Sequence, residues 1–170
     1  MSSSASKREP ANPDALAWLQ ARIERLEAVE AIHTLRHTYA RLADEKDAQG
    51  IASLFTPDGV WDGGDEFGYH EGRDEIRDFL AGIWRNAAWG GLAMHFTTNG
   101  LIEVAESGLE ASGRWYVWEP ATRNGGLTLL AGVYTDRYAK TAAGWLFSRA
   151  TLRFEFREHV SSEPMRVRSS

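Results

Sequence analysis

Between Leu92 and Arg157 the sequence falls into four runs, Leu92–Ala105, Glu110–Glu119, Leu127–Ala139 and Trp145–Arg157. Each alternates apolar with polar residues or is rich in β-formers. The segments between them, Glu106-Ser107-Gly108, Asn124-Gly125-Gly126 and Thr141-Ala142-Ala143-Gly144, are hairpin-type turns, so neighbouring strands are predicted to run antiparallel. Strands this long cannot lie flat, and the sheet must twist and curl. Before residue 90 the apolar period is helical. Helices followed by a meander predict an α+β fold. We expect a cone-shaped α+β barrel whose curved antiparallel sheet and N-terminal helices close an apolar cavity.

In the first half, Asn12-Pro13-Asp14 reads as a helix start, with Asn12 as cap. Apolar residues follow at Leu16, Leu19, Ile23, Leu26, Val29, Ile32, Leu35, Tyr39 and Leu42. The three steps of three from Leu26 to Leu35 each turn the stripe by roughly 60°. One straight helix would lose its buried face, so two helices, or one sharply bent near Glu27–Ala31, are predicted. Asp44-Glu45-Lys46-Asp47 is a charged break. A short helix over Ala48–Phe55 follows, stopped by the turn-forming Thr56-Pro57-Asp58-Gly59. Val60-Trp61 opens a strand, Gly63-Gly64 a loop, Tyr69-His70-Glu71 a second short strand, and Arg73–Trp84 another helix. Residues 1–11 read as a disordered, Ser-rich tail, 12–158 as one domain and 159–170 as a C-terminal tail.

A chain of 170 residues suits one domain. With 24 acids against 19 bases and a net charge of −5, it has no basic excess to release counterions, so no nucleic-acid partner is expected. The absence of cysteine excludes disulfides, zinc–thiolate sites and thiol catalysis. No apolar stretch approaches roughly 20 residues, so no membrane partner is expected. Met1–Pro10 lacks the apolar segment of a secretory signal, which makes a cytoplasmic location the expectation. Aromatic residues, at 11 %, suggest a large apolar lining.

Strand alternation puts His95, Thr97 and Asn99 on one face and Leu92, Met94, Phe96 and Ile102 on the other. His95 is thus on the polar side of its strand, where it reads either as a catalytic imidazole or as a structural histidine. His33 and His37 lie one helical turn apart, yet no glutamate falls between them as in HExxH, so the pair reads as solvated helix face and no metal site is expected. Tyr39 and Asp44 would stand about 140° apart on one continuous helix. They can face one site only if Asp44 lies just past the helix end; equally, Asp44 or Asp47 could cap the next helix. Arg153 alternates with Leu152 and Phe154, as a charged ladder on a solvated face would, and Glu119 ends its run as a rim carboxylate. There is no GxGxxG, P-loop, GxSxG or HExxH. What remains is acid–base chemistry without a cofactor, or plain binding.

Several segments in order carry a resemblance. They are Tyr39-Ala-Arg-Leu-Ala-Asp44, Leu54–Gly59, Gly72-Arg73 with Ile76, Met94–Asn99, Ala131–Tyr138 and Gly144-Trp145. Together they resemble the SnoaL-like branch of the nuclear transport factor 2-like superfamily over residues 22–157. Within it the chain resembles the scytalone dehydratases, bile-acid 7α-dehydratases and lindane dehydrochlorinases, all cofactor-free eliminating enzymes. The resemblance implies a lyase acting on an aromatic, polycyclic or steroid-like molecule. Its catalytic residues would be His95, Asp44, Tyr39, Glu119 and Arg153. Asp44 would orient His95, Tyr39 would donate to a substrate oxygen, Arg153 would hold negative charge, and Glu119 would carry a proton or pair with Arg153. Trp61, Trp84, Phe96, Trp115 and Asn99 are the candidate substrate contacts, and Trp89 and Trp118 further wall candidates. Isomerisation, cyclisation, aldehyde-releasing carbon–carbon cleavage, and passive ligand binding are the alternatives on the same fold. The resemblance also implies a homotrimer packed through its sheets, with a dimer as the alternative.

Overall fold

The hairpin turns place β5 (Gly126–Thr141) between β4 (Glu110–Arg123) and β6 (Gly144–Val160), antiparallel to both. β3 (Phe96–Val104) pairs with the other side of β4, again antiparallel. The computed structural model describes residues 13–86, 89, 91–123 and 126–160. The expected tail at 1–11, the Asn12 cap, Asn124-Gly125 and residues 161–170 of the tail expected at 159–170 lie outside the described residues; residues 159 and 160 of that tail belong to a strand instead. β6 itself runs on to Val160.

β1 (Phe55–Asp62) lies beside β6, and β2 (Tyr69–Glu71) beside β1, giving the order β2-β1-β6-β5-β4-β3. One pair departs from the expected all-antiparallel sheet: β1 runs parallel to β6. β1 reaches the sheet through long connections rather than through a hairpin, so nothing forces it to be antiparallel. The sheet is not closed; β2 and β3 are its edges. Thr56-Pro57-Asp58-Gly59, expected as a turn, lies inside β1. There the register to β6 shifts between Phe55 and Val60, and such an irregularity tolerates Pro57, which has no N–H for the ladder. The predicted loop at Gly63-Gly64 contains a helical turn, α3 (Gly64–Phe67).

α1 (Pro13–Glu45) is a single helix of 33 residues, not two. The drifting stripe needed no break because the helix is exposed from Pro13 to Glu27. Burial starts at Ala28 and continues through Ile32, Leu35, Arg36, Tyr39, Ala40, Leu42 and Ala43. Only this second half needs one consistent face against the concave side of the sheet. α2 (Ala48–Ser53) is capped by Asp47, whose carboxylate accepts from the Gly50 N–H at 2.8 Å. α4 (Arg73–Arg85) buries Ile76 and Leu80. With Ile51, Phe55, Trp115, Tyr138 and Phe147 these residues form one core between helices and sheet.

In the centre of that core Arg36 of α1 is ion-paired with Asp136 of β5, both fully buried. Tyr138 donates to the same carboxylate at 2.8 Å, and the guanidinium stacks over Tyr39, Tyr134 and Phe147. Burial pushes Asp136 upward in pKa and Arg36 draws it back; the contact with Asp136 raises Arg36 against its own desolvation. Arg36 Nε and Nη2 both donate to the one oxygen, Asp136 Oδ2, which places the two opposite charges in direct contact.

Candidate active site

β3 is an edge strand, so backbone N–H groups on its free side need partners from outside the sheet. Asp44, in the last turn of α1, supplies one. Its Oδ1 accepts the His95 backbone N–H at 2.9 Å and lies 2.7 Å from His95 Nδ1. One carboxylate thus fixes both the backbone and the ring of His95. Asp44 lies within the helix, not beyond it, and the cap of the next helix is Asp47. A carboxylate accepts only, so a neutral His95 carries its proton on Nδ1 and a lone pair on Nε2.

Nε2 lies 3.4 Å from Glu119 Oε2, a contact that becomes a charge-assisted hydrogen bond only when the imidazole has taken up its second proton. Glu119 was expected on the rim, but it is buried. β4 alternates strictly, with Trp115, Val117, Glu119, Ala121 and Arg123 inward. Arg123 Nη2 donates to Glu119 Oε1 at 2.5 Å, and its guanidinium sits 3.6 Å above the centre of the Trp89 ring. Burial pulls the Arg123 pKa below its ordinary value, opposed by Glu119. Asp44, His95, Glu119 and Arg123 therefore form one polar chain from α1 across β3 to the end of β4.

His95, Glu119 and Arg123 line a narrow cavity that leaves about 60 Å³ for the centres of water-sized molecules. Tyr39, Lys46, Trp61, Phe67, Trp84, Trp89, Tyr134, Leu152 and Phe154 also line it. Tyr39 is buried; its hydroxyl accepts from Trp61 Nε1 at 2.8 Å, and desolvation raises its pKa, which keeps it a neutral donor at pH 7. Asp44 does not line the cavity. It opens instead onto a shallow outer recess with His37 and Thr98, and His95 borders both spaces. Tyr39 and Asp44 thus reach one site only through the imidazole between them.

Trp61, Trp84 and Trp89 line the wall, but five other candidates do not: Trp118 stands outward on β4, opposite in alternation to Trp115 and Glu119, and the other four are Phe96, Asn99, Trp115 and Arg153. Phe96 points outward because the extended segment that leads into β3 turns Leu92, Met94 and Phe96 to the outer face and His95 and Thr97 inward. Asn99 is exposed in a bulge at φ 54°, which also flips Ile102 to the inner side, opposite to the simple alternation. Trp115 faces inward but belongs to the core, where its Nε1 donates to the Tyr138 hydroxyl at 3.0 Å and its ring meets His33. Arg153 lies on the outer face, its side chain 49 % exposed, with Nη2 donating to Asp62 Oδ1 at 3.0 Å. Leu152 and Phe154 take the inward positions of β6, so alternation excludes Arg153 from the cavity. Arg149 also binds Asp62, at 2.6 Å. Desolvation would raise Asp62, but Arg149, the Gly64 N–H and Arg153 hold its carboxyl below the ordinary value.

Sequence reasoning missed Arg123 and Lys46. The alternation of β4 would have found Arg123 had the run been extended past Glu119. Lys46 follows the helix end at φ 59°, a conformation no period announces. Among the described residues no group of three or more His, Asp or Glu side chains could hold a metal ion. No described helix is long and apolar enough to cross a membrane.

The SnoaL-like domain family matches residues 24–151. A candidate aromatic-ring hydroxylase from Novosphingobium aromaticivorans is similar at 26% identity and TM-score 0.69, covering 79% of this chain and 94% of that one. A candidate scytalone dehydratase from the same organism shows 25% identity and TM-score 0.72 over 82% and 92% of the two chains. A hexachlorocyclohexane dehydrochlorinase of Novosphingobium barchaimii shares the fold at 22% identity and TM-score 0.71, over 83% and 95%. No curated protein matches the chain. A curved six-stranded sheet, helices on its concave side, and a family match across most of that span lead to one assignment: the chain belongs to the SnoaL-like domain family.

Proposed function

We propose that the protein is a cofactor-independent lyase that eliminates water from an aromatic, polycyclic or steroid-like molecule, with Asp44 and His95 as its acid–base pair. The observation that carries this reading is the 2.7 Å contact between Asp44 and His95 Nδ1, which leaves Nε2 as the basic nitrogen on an aromatic cavity. The dehydratase and dehydrochlorinase likenesses support the reaction class.

In the reaction, Nε2 takes a proton from carbon beside a carbonyl, and the C–H electron pair becomes the new double bond. Tyr39 donates a hydrogen bond to the carbonyl oxygen, where negative charge develops. The C–O bond to the leaving hydroxyl breaks with its electron pair on oxygen. That oxygen takes the proton back from His95, directly or through Glu119, and departs as water. Asp44 holds the ring in one tautomer and offsets the imidazolium charge, as the third member of a triad does. Arg123 takes the charge-holding part that the sequence resemblance implied for Arg153. The outer row Phe96, Trp118 and Phe156, exposed on neighbouring parts of the sheet with Trp118 stacked on Phe156, is the proposed contact face of a homotrimer of 19.0 kDa chains.

A panel of polycyclic and aromatic β-hydroxy ketones tests the reaction. Loss of one water by mass spectrometry, with growth of conjugated-enone absorbance, is expected from the native protein and not from His95→Ala. Failure of every member to lose water would remove the dehydratase reading.

A further inference from the structure

Four large apolar residues of α1, Leu16, Leu19, Ile23 and Leu26, are left 48–65 % exposed. With about 100° between successive residues they share an arc of roughly 80°. That arc stands roughly 170° round the helix from Ile32, Leu35 and Tyr39, which enter the core. The groove between α1 and the β3–β4 turn shows the same division. Trp18, Ala21, Arg25 and Ala28 line it, and none of the four apolar residues does. The stripe therefore looks away from its own domain. The same face stays exposed further along at Glu30, Thr34 and His37, so the body of the domain leaves an approach to it open.

The stripe advances by three, four and three residues, the a and d spacing of a two-helix seam. Leu16 and Ile23 take a, Leu19 and Leu26 take d, and Ala21 and Ala28, at f, turn to the domain. The charges beside the seam say what fits it. Arg22 is at g and Glu27 at the e of the next heptad, the two positions that meet between parallel helices. Two copies side by side would join Arg22 to Glu27 twice, whereas antiparallel copies would set Arg22 against Arg22. Arg22 now lies over the Trp18 ring, 4.5 Å from its centre, on the exposed part of the helix, where it is free to swing to the seam. The chain's own ends are poor covers: residues 1–12 and 161–170 hold, of large apolar side chains, only Met1, Met165 and Val167.

We propose that this face docks a second copy of the chain, through a parallel pairing of the two α1 helices over Leu16–Leu26. Two heptads are too few to fold as free peptides, but here the helix is fixed by its buried second half. With the flanking side chains the pair buries about 1,000 Å², the lower limit of a specific contact, so micromolar dissociation is expected. α1 and the outer sheet face lie on opposite sides of the sheet. The helix pairing therefore adds to the assembly proposed there, and it does not depend on the reaction.

Sedimentation of the full chain from about 1 to 100 µM tests it. Leu19→Asp with Ile23→Asp changes only exposed positions, and the far-ultraviolet spectrum checks that the fold is kept. This variant should run at half the native mass or less at the upper concentrations. Equal masses for the two would overturn the proposal and leave the stripe to a partner of another kind. Charge exchange tests the direction of pairing. Arg22→Glu and Glu27→Arg should each weaken dissociation by about threefold or more, and the two together should restore it to within about twofold of native. A double variant no tighter than the single ones would overturn the parallel pairing.

Discussion

Two polar systems join α1 to the sheet, and they are built to different ends. Arg36 and Asp136 are sealed in the core, fully buried, with Tyr138 on the carboxylate and three rings around the guanidinium. The Asp44–His95–Glu119–Arg123 chain uses the same kinds of group, but His95, Glu119 and Arg123 face a cavity and Asp44 is 31 % exposed on its far side. The first pair has nowhere to send a proton or receive a ligand. The second places an acceptor behind the imidazole and open space in front of it. Charged groups in a small domain are therefore read by what their free side faces, not by the strength of their pairing.

The comparison can be broken first at its core member. Asp136→Ala leaves the Arg36 guanidinium buried without its counter-charge. It is expected to cost about 3–5 kcal/mol, much of a typical domain's stability. Arg36→Met with Asp136→Leu should cost less than Asp136→Ala alone. Urea unfolding measures both, and a loss under about 1 kcal/mol in Asp136→Ala would show that the pair is not sealed. Glu119→Gln strips the carboxylate from Arg123 but leaves the cavity side open to water. The expected loss is about 1–3 kcal/mol in the same assay, smaller than for Asp136→Ala. A loss equal to that of Asp136→Ala would erase the distinction.

Lys46→Gly relieves a left-handed side-chain residue, and a rise in stability of about 1 kcal/mol is expected. No rise in the urea midpoint would mean that Lys46 is not strained. The smallest effect is on the outer face. The Asp62 carboxyl titrates lower folded than unfolded because Arg149, the Gly64 N–H and Arg153 outweigh its desolvation. Its contribution is full above about pH 4 and is lost as pH falls through the folded value. Asp62→Asn should cost less than about 1 kcal/mol at pH 7 and converge with the native protein at still lower pH.

Much of this architecture was legible because hairpin turns and alternation act locally. The strands from β3 to β6 and the helix at Arg73 follow from such patterns. The break near Glu27 failed because period alone does not say whether a helix face is buried, and here the first half of α1, from Pro13 to Glu27, is exposed among the described residues. Alternation already set Arg153 opposite Leu152 and Phe154; the family likeness pulled it toward the cavity, and the strand geometry leaves it outside. Asn99 and Ile102 were misplaced by a bulge that shifts register without a sequence period. His95 and Asp44 were named from sequence, but their contact depends on where α1 ends against an edge strand, and only tertiary structure decides that.

In the proposed reaction Asp44 and His95 work as one unit. The direct measurement is turnover of the first substrate found among the β-hydroxy ketones, compared for the native protein, Asp44→Asn, His95→Ala and the double variant. Each single change is expected to lower kcat by roughly 10² or more, the scale of acid–base catalysis. The double variant should fall only about threefold or less below the worse single one, because a unit once broken has little more to lose. Losses that multiply in the double variant, or an Asp44→Asn enzyme as fast as the native protein, would contradict it.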